Sequence, residues 1–313
     1  MAEQSPVRGA KVLVTGASGN IGAELARALA RDNQVLGTGR FENIEDWRYL
    51  ESGGVIPVRH ALGTDSLAAL PDDIDYVFNY AAITPSGATK SGATVDASPE
   101  RVAAVNVQAI GEMMQRWPGL KGFQQASSST VYLHEPRPLS ESDAVGSTFG
   151  VYAATKYASE QIALFASKTY GIPTVVLRIF HTYGPRRGPV ADRVRMVAEG
   201  RPVPFRRPGP NLCSPLFTGD FTRLAIAVMR HAAVPPLVMN IGGEPVSQED
   251  YVAMIGRQLG VEVRTVDNPG ANPSPLADIG LMKRLVGPPL IPVEEGIRRV
   301  IAFNYPDRTV AAR

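Results

Sequence analysis

The chain has 313 residues, 44% of them hydrophobic and 20% charged, with a formal net charge of +2. That much apolar sequence builds one large domain or two intimate ones. A charge so close to balance, with no basic block, excludes a nucleic-acid surface. The single cysteine, Cys213, excludes an intramolecular disulfide and a thiol-rich metal site, and the four His residues show no metal-ligand spacing. It also points to a reducing, cytoplasmic compartment. "MAEQSPVRGA" has no apolar run, so no signal peptide is expected, and no stretch of about 18 apolar residues predicts a membrane span.

In chain order, "KVLVTG" (11–16) predicts a strand, followed by a helix over 20–31. "QVLGTG" (34–39), "VIPVR" (55–59) and "DYVFNYAA" (75–82) predict three more strands. A helix starts at Ser98-Pro99-Glu100, with Pro in its first turn, and runs to about Trp117. "GFQQASS" (122–128) is a fifth strand, and the helix that opens in "FGVYAATKYASEQIA" (149–163) leads to the strand "TVVLRIF" (174–180). This alternation predicts an α/β fold, a Rossmann-like doubly wound parallel sheet. After about residue 180, "YGPRRGPVADRV" and "GRPVPFRRPGPNLCSP" are rich in Pro, Gly and Arg and are expected as surface loops. "MNIGGEPVSQEDYVAMIGRQLG" predicts a strand, a turn and a helix capped by Ser247. The expected division is a dinucleotide-binding domain over 1–180 plus about 212–242. A smaller C-terminal substrate-binding lobe takes about 181–211 plus 243–313. The ligand crevice then lies between them, at the carboxyl ends of the strands.

"VLVTGASGNIGAELARALA" sets Gly16, Gly19 and Gly22 between an apolar strand and an amphipathic helix. The first glycine permits a tight turn, the second lets the backbone approach a pyrophosphate, and the third lets helix and sheet pack closely. Ser18, Asn20 and Ile21 complete the expected phosphate loop, whose helix N-terminus offers free N–H groups to an anion. At the end of the second strand, where an NAD site carries Asp or Glu, Gly39 is followed by Arg40. A guanidinium suits a 2′-phosphate and a carboxylate repels one, so NADP is favoured over NAD, with Glu42 as a displaced acidic partner the other way.

Tyr152 and Lys156 are four apart and share a helix face. An ammonium beside a phenol favours the phenolate, which would suit Tyr152 to acid/base work. "QASSSTVY", at the end of the fifth strand, supplies hydroxyls to share a substrate oxygen.

Together "TGASGNIG", the "AA" at 81–82, the segment around Asn106, "SSSTVY", "YAATK", "LRIFHTYGPR" and "NIGGEPVSQEDYVAMI" resemble the extended short-chain dehydrogenases/reductases. That group comprises the NAD(P)-dependent epimerases, dehydratases and their reductase relatives. The resemblance implies that Tyr152 is the acid/base, that Lys156 lowers its pKa and holds the nicotinamide ribose, and that Ser128 is the catalytic hydroxyl. It implies Ala81 and Ala82 as cofactor contacts, Thr84, Ser128, His181 and Arg187 as substrate contacts, and a homodimer through the helices near 98–117 and 149–170. Asn106 resembles the helix Asn behind the family's active site and reads as a satisfied buried amide, and Ser127 and Ser129 read as surface hydroxyls.

The chain departs from the family at several positions. Ser129 and Thr130 stand where dehydratases carry an Asp-Glu pair, which argues against loss of water. His181 replaces an Asn, Cys213 falls where an Arg grips a diphosphate, with Arg206 or Arg207 as substitutes, and Ala61 replaces an acid near the adenine. These features favour hydride transfer to or from a carbonyl or secondary alcohol of a sugar-like or natural-product small molecule. The alternatives are a nucleotide-sugar epimerase with retained NAD and a non-catalytic dinucleotide sensor.

Overall fold

The computed structural model describes residues 5–84, 98–146, 150–270 and 274–308. Seven short, β-branched runs form one parallel sheet: β1 (Lys11–Thr15), β2 (Gln34–Gly39), β3 (Ile56–Arg59), β4 (Tyr76–Asn79), β5 (Gly122–Ser128), β6 (Thr174–Ile179) and β7 (Leu237–Ile241). Their order across the sheet is β7-β6-β5-β4-β1-β2-β3. The chain winds outward one way from β1 and then jumps to β4 to wind the other way. The reversal opens a crevice beyond the carboxyl ends of β1 and β4, where doubly wound sheets bind ligands. Every residue of β5 is buried, as expected for a strand covered by helices on both faces.

The flanking helices are α1 (Asn20–Leu29), α2 (Ile44–Glu51), α3 (Pro99–Ala103), α4 (Ala109–Arg116), α5 (Val151–Tyr170), α6 (Pro189–Ala198), α7 (Thr218–Ala227), α8 (Gln248–Leu259), α9 (Gly280–Val286) and α10 (Val293–Asn304). One core lies under α1 and α7 and takes in Leu25, Leu29, Phe221 and Leu224. A second lies under α4 and α5, around Ile110, Met113, Phe123 and Ala163. The expected helix from Ser98 is present, with Ser98 Oγ accepting from Arg101 N and Pro99 in the first turn. It is not uniform: residues Ala104–Gln108 widen into a π-helical turn between α3 and α4.

The region after 180 corrects the sequence expectation. Within the Pro/Gly/Arg-rich run lies α6, whose Val190, Ala191, Val194 and Val197 are buried. They pack with Ile255 of α8 and Ile297 and Val300 of α10 in a third core. The helical spacing of those four residues was present but flanked by prolines. Pro189 starts the helix rather than breaking it, since N1 needs no N–H. Helix α2 was also missed, and β4 ends at Asn79, so Tyr80–Ile83 leaves the sheet as a loop.

Candidate active site

Gly16 has φ +65°, and a Cβ there would lie 2.7 Å from Ala81 N. A Cβ on Gly22 would fall 2.4 Å from Gly16 O. The loop therefore closes on itself and on Ala81 only because both residues are glycine. Helix α1 begins with no side-chain cap and no acid in its first turn, so its N–H groups face an open groove. That groove is lined by Thr15, Ser18, Gly19, Arg40, Ala61, Ala82 and neighbours. A backbone cradle that a Cβ would fill, at an uncapped helix N-terminus, fits the pyrophosphate of a dinucleotide. Asn20 and Ile21 open α1.

The groove's floor is set by buried amides. Thr15 Oγ1 donates to Asn79 Oδ1 at 2.5 Å and accepts from the Tyr80 and Ala81 N–H groups at 3.1 Å. Asn106, from the π-helical turn, accepts from Ile83 N at 2.8 Å and donates to Ile83 O and to Thr155 Oγ1. This satisfied amide fixes the 81–83 segment against α5. Thr84, next along, is exposed.

At the carboxyl end of β5, Ser128 caps a short turn by accepting from Thr130 N at 3.2 Å and Thr130 Oγ1 at 3.0 Å. Its hydroxyl lies close enough to the Tyr152 phenol to favour the phenolate. Lys156, on the next turn of α5, is buried and donates to Ala126 O at 3.0 Å. Ser128, Tyr152 and Lys156 thus meet at one place. Burial nevertheless raises the Tyr152 pKa, and only the nearby Ser128 hydroxyl opposes it. The expected lowering by Lys156 is absent, because its Nζ sits 5.8 Å from the Tyr152 ring centroid and turns to a carbonyl. Burial also brings Lys156 down to about 8, with Glu160 opposing.

Glu160 and Arg178 were missed in the sequence. They form a buried ion pair at 2.9 Å, and Ser127 Oγ donates to Glu160 at 2.5 Å. Arg178 continues to the Tyr132 hydroxyl at 3.0 Å. The available signal was Glu160 itself, one helical turn beyond Lys156. Neither Ser127 nor Ser129 is the surface hydroxyl expected from sequence: Ser127 belongs to the support beneath the site, and Ser129 is buried beside it, because the carboxyl end of β5 lies under α5.

Other expected residues lie apart. Arg40 lines the groove but pairs with Glu42 at 3.4 Å. Arg187 is committed to other partners: it donates to Ser18 O at 2.5 Å and to both oxygens of Asp46 at 2.6 and 2.7 Å. Asp46, also held by Arg186, is a buried carboxylate of the unforeseen α2. As a substrate contact, Arg187 would first have to leave this pair. His181 follows β6 at the crevice; burial, with Arg193 adding to it, lowers its pKa to about 4. Cys213 is a buried free thiol whose pKa burial pushes up to about 12. Among the described residues no helix is long and apolar enough to cross a membrane, and no His/Cys/Asp/Glu group could hold a metal.

A parallel sheet with a glycine-loop groove and a Ser/Tyr/Lys cluster at its carboxyl edge defines an NAD(P)-dependent enzyme of the short-chain dehydrogenase/reductase superfamily. Residues 12–242 match the model of the NAD dependent epimerase/dehydratase family, and the chain belongs to that family. It is 28% identical to an uncharacterized UDP-glucose epimerase, YtcB, of Bacillus subtilis, over 94% of this chain and 97% of that one. It is 27% identical to UDP-glucuronate 4-epimerase 1 of Arabidopsis thaliana, over 94% and 76%. Among solved structures it resembles a tyrosine-to-phenylalanine mutant of Bacillus cereus UDP-glucuronic acid 4-epimerase, with UDP-4-deoxy-4-fluoro-glucuronic acid and NAD. The TM-score is 0.81 at 25% identity, covering 94% of this chain and 98% of that one. It also resembles MoeE5 in complex with UDP-glucose and NAD, with TM-score 0.80, 26% identity and coverage of 95% and 99%.

Proposed function

We propose that the protein is a nucleotide-sugar epimerase that works with retained NAD and inverts a sugar carbinol by oxidising and then re-reducing it. The observation that carries the chemistry is the Ser128 hydroxyl set against the Tyr152 phenol, at the carboxyl edge of the sheet that also bears the glycine-loop groove. The choice of epimerisation over net reduction is supported by the near full-length likeness to enzymes named as UDP-sugar 4-epimerases. It replaces the reductase favoured from sequence. Dehydration stays disfavoured, since Ser129 and Thr130 offer no carboxylate.

The nicotinamide of a bound dinucleotide supplies the hydride acceptor and donor. The loop Gly16–Gly22, with Ser18 and Ala81, would hold its pyrophosphate. Tyr152 takes the proton from the sugar hydroxyl as the carbinol is oxidised and returns it to the same oxygen when the carbinol reforms. Ser128 holds that oxygen by a hydrogen bond. Lys156 is near enough for its charge to favour the phenolate once its Nζ leaves Ala126 O for a ribose hydroxyl. The C-terminal segments, about 181–211 plus 243–313, would read the sugar, and a homodimer through α4 and α5 belongs to the same reading; Val151 and Phe165 are exposed on α5.

Arg40 favours a second reading, an NADPH-dependent reductase, because its side chain lines the groove beyond Gly39. Against it stands Glu42, whose carboxylate already pairs with Arg40 and would repel a 2′-phosphate. One experiment separates the two: incubate the purified protein with UDP-glucose or UDP-glucuronate without added cofactor and follow the sugar C4 proton by NMR. Appearance of the C4 epimer is expected. No epimer, together with oxidation of added NADPH by a carbonyl substrate, would sink the epimerase reading.

A further inference from the structure

Arg193 projects from α6 with no carboxylate at ion-pair distance among the described residues. Asp192, its neighbour, pairs instead with Arg195. Glu249, an acid whose charge reaches Cys213 and Tyr251, already accepts from Asn211 Nδ2 and, at 3.2 Å, from Ser247 Oγ. Among the described residues Arg193 makes no ion pair, and its Nε has no hydrogen-bond partner.

The groups around it are neutral. His181 Nε2 is buried and unpartnered, and Arg193 is the charge that bears on it. The Tyr251 hydroxyl is buried beside the guanidinium without a well-formed hydrogen bond. The Cys213 thiol is fully buried, with Arg193 opposing the effect of that burial. So three orphaned polar groups converge, on a guanidinium, an imidazole and a phenol. Each can donate a hydrogen bond, and none is an acid. Leaving them all unmade costs stability. His181 follows β6 at its carboxyl end, so the cluster flanks the crevice that Ser128 and Tyr152 also border.

We propose that Arg193, with His181 and Tyr251 as neutral donors, forms an oxyanion-binding subsite for the substrate. Resting on the nucleotide-sugar reading above, it identifies the substrate as acidic and places its anionic group at α6. The anion is either the diphosphate bridge or a uronate carboxylate. No other side chain is needed at the position of Cys213, because the cation reaches the same place from α6.

The test uses the full chain and three ligands, UDP, UDP-glucose and UDP-glucuronate, with inorganic pyrophosphate as a fourth probe. Affinities are measured by calorimetry for wild type, Arg193→Met and Arg193→Lys, with melting temperatures recorded without ligand. Arg193→Met should weaken binding by about 10- to 100-fold, as expected for loss of a charge-assisted hydrogen bond. It should melt no lower than wild type, because it removes an uncompensated, partly buried charge. Arg193→Lys should recover part of the affinity. A loss shared by UDP and both sugars assigns the anion to the diphosphate; a loss confined to UDP-glucuronate assigns it to the carboxylate. Undiminished affinity of Arg193→Met for all ligands overturns the subsite and leaves the epimerase reading intact. So does a lowered melting temperature with unchanged affinity, which makes Arg193 structural. If wild type binds no UDP compound but binds pyrophosphate through Arg193, the subsite stands and the nucleotide-sugar reading fails. Wild type that binds none of the four overturns both.

Discussion

The glycine loop and the α6 side of the crevice prepare for charged ligands by opposite means. At the loop the work is done by backbone: Gly16 at φ +65°, a Gly22 that admits no Cβ, and an uncapped helix N-terminus. At α6 it is done by side chains, Arg193, His181 and Tyr251, assembled from three separate stretches of chain. Backbone devices need particular residues at fixed local spacing. Side-chain devices need only that the fold bring the right groups together. The loop therefore suits one kind of ligand part whatever its side chains, and on the α6 side a single substitution can change what is bound.

The comparison can be sharpened by substitution, beginning at the reacting centre the two sides share. Tyr152→Phe should lower turnover by about 100-fold or more while leaving the melting temperature nearly unchanged, since only a hydroxyl is removed. Steady-state assays with a thermal melt check it, and a loss of only a few-fold would remove Tyr152 from the acid/base role. On the loop side, Gly22→Ala drives a Cβ to 2.4 Å from Gly16 O, so the turn must deform. A drop of tenfold or more in dinucleotide affinity is expected by fluorescence titration, with the α6 side untouched.

On the α6 side the structure implies a helix with a core, where the sequence suggested a loop. Val194 is fully buried, so Val194→Ala should cost about 2 kcal/mol, read as a shifted denaturation midpoint at constant slope. A surface loop would show no shift. His181 gives this side a pH signature. Its folded pKa is lowered to about 4 from 6.5, so the unfolded chain binds the extra proton first. Its contribution is complete above about pH 6.5 and is lost as pH falls through that window to about 4, on the order of 3 kcal/mol. His181→Gln should flatten that part of the stability profile. The smallest effect is expected at Arg40. With Glu42 already paired to it, Arg40→Ala should change the ratio of NADH to NADPH affinity by no more than about threefold, as for an exposed ion pair. A tenfold loss of NADPH preference would instead revive the reductase.

What could be read from the sequence follows the same division. The strands, the glycine loop, the cap at Ser98 and the Ser128/Tyr152/Lys156 set are local patterns, and the structure places them together. Helix α6 was hidden because Pro189 and the neighbouring glycines outweighed four apolar residues at helical spacing. Arg187 looked like a substrate contact because its buried partner, Asp46, lies far away in sequence on a helix that was not expected. The behaviour of Tyr152 is not legible in the sequence for a further reason. Spacing puts Lys156 on its face, but the fold turns the ammonium to Ala126 O and lets burial dominate.

The widened turn at Ala104–Gln108 has a consequence for how this chain tolerates change in length. A π-helical turn holds one residue more than the α-helical turn it replaces. Removing a single residue from 104–108 would give the whole stretch from Pro99 to Arg116 regular helical hydrogen bonding, so the helix itself would gain. The same deletion would leave the two flanking halves in phase, because the lost residue is the one the wide turn absorbs, so Met113 and Ile110 would keep their core. Its cost would fall inside the turn, where Asn106 would move off Ile83 and Thr155. The odd residue thus lets one side chain reach the site while the packing on either side of it stays as a regular helix would have it.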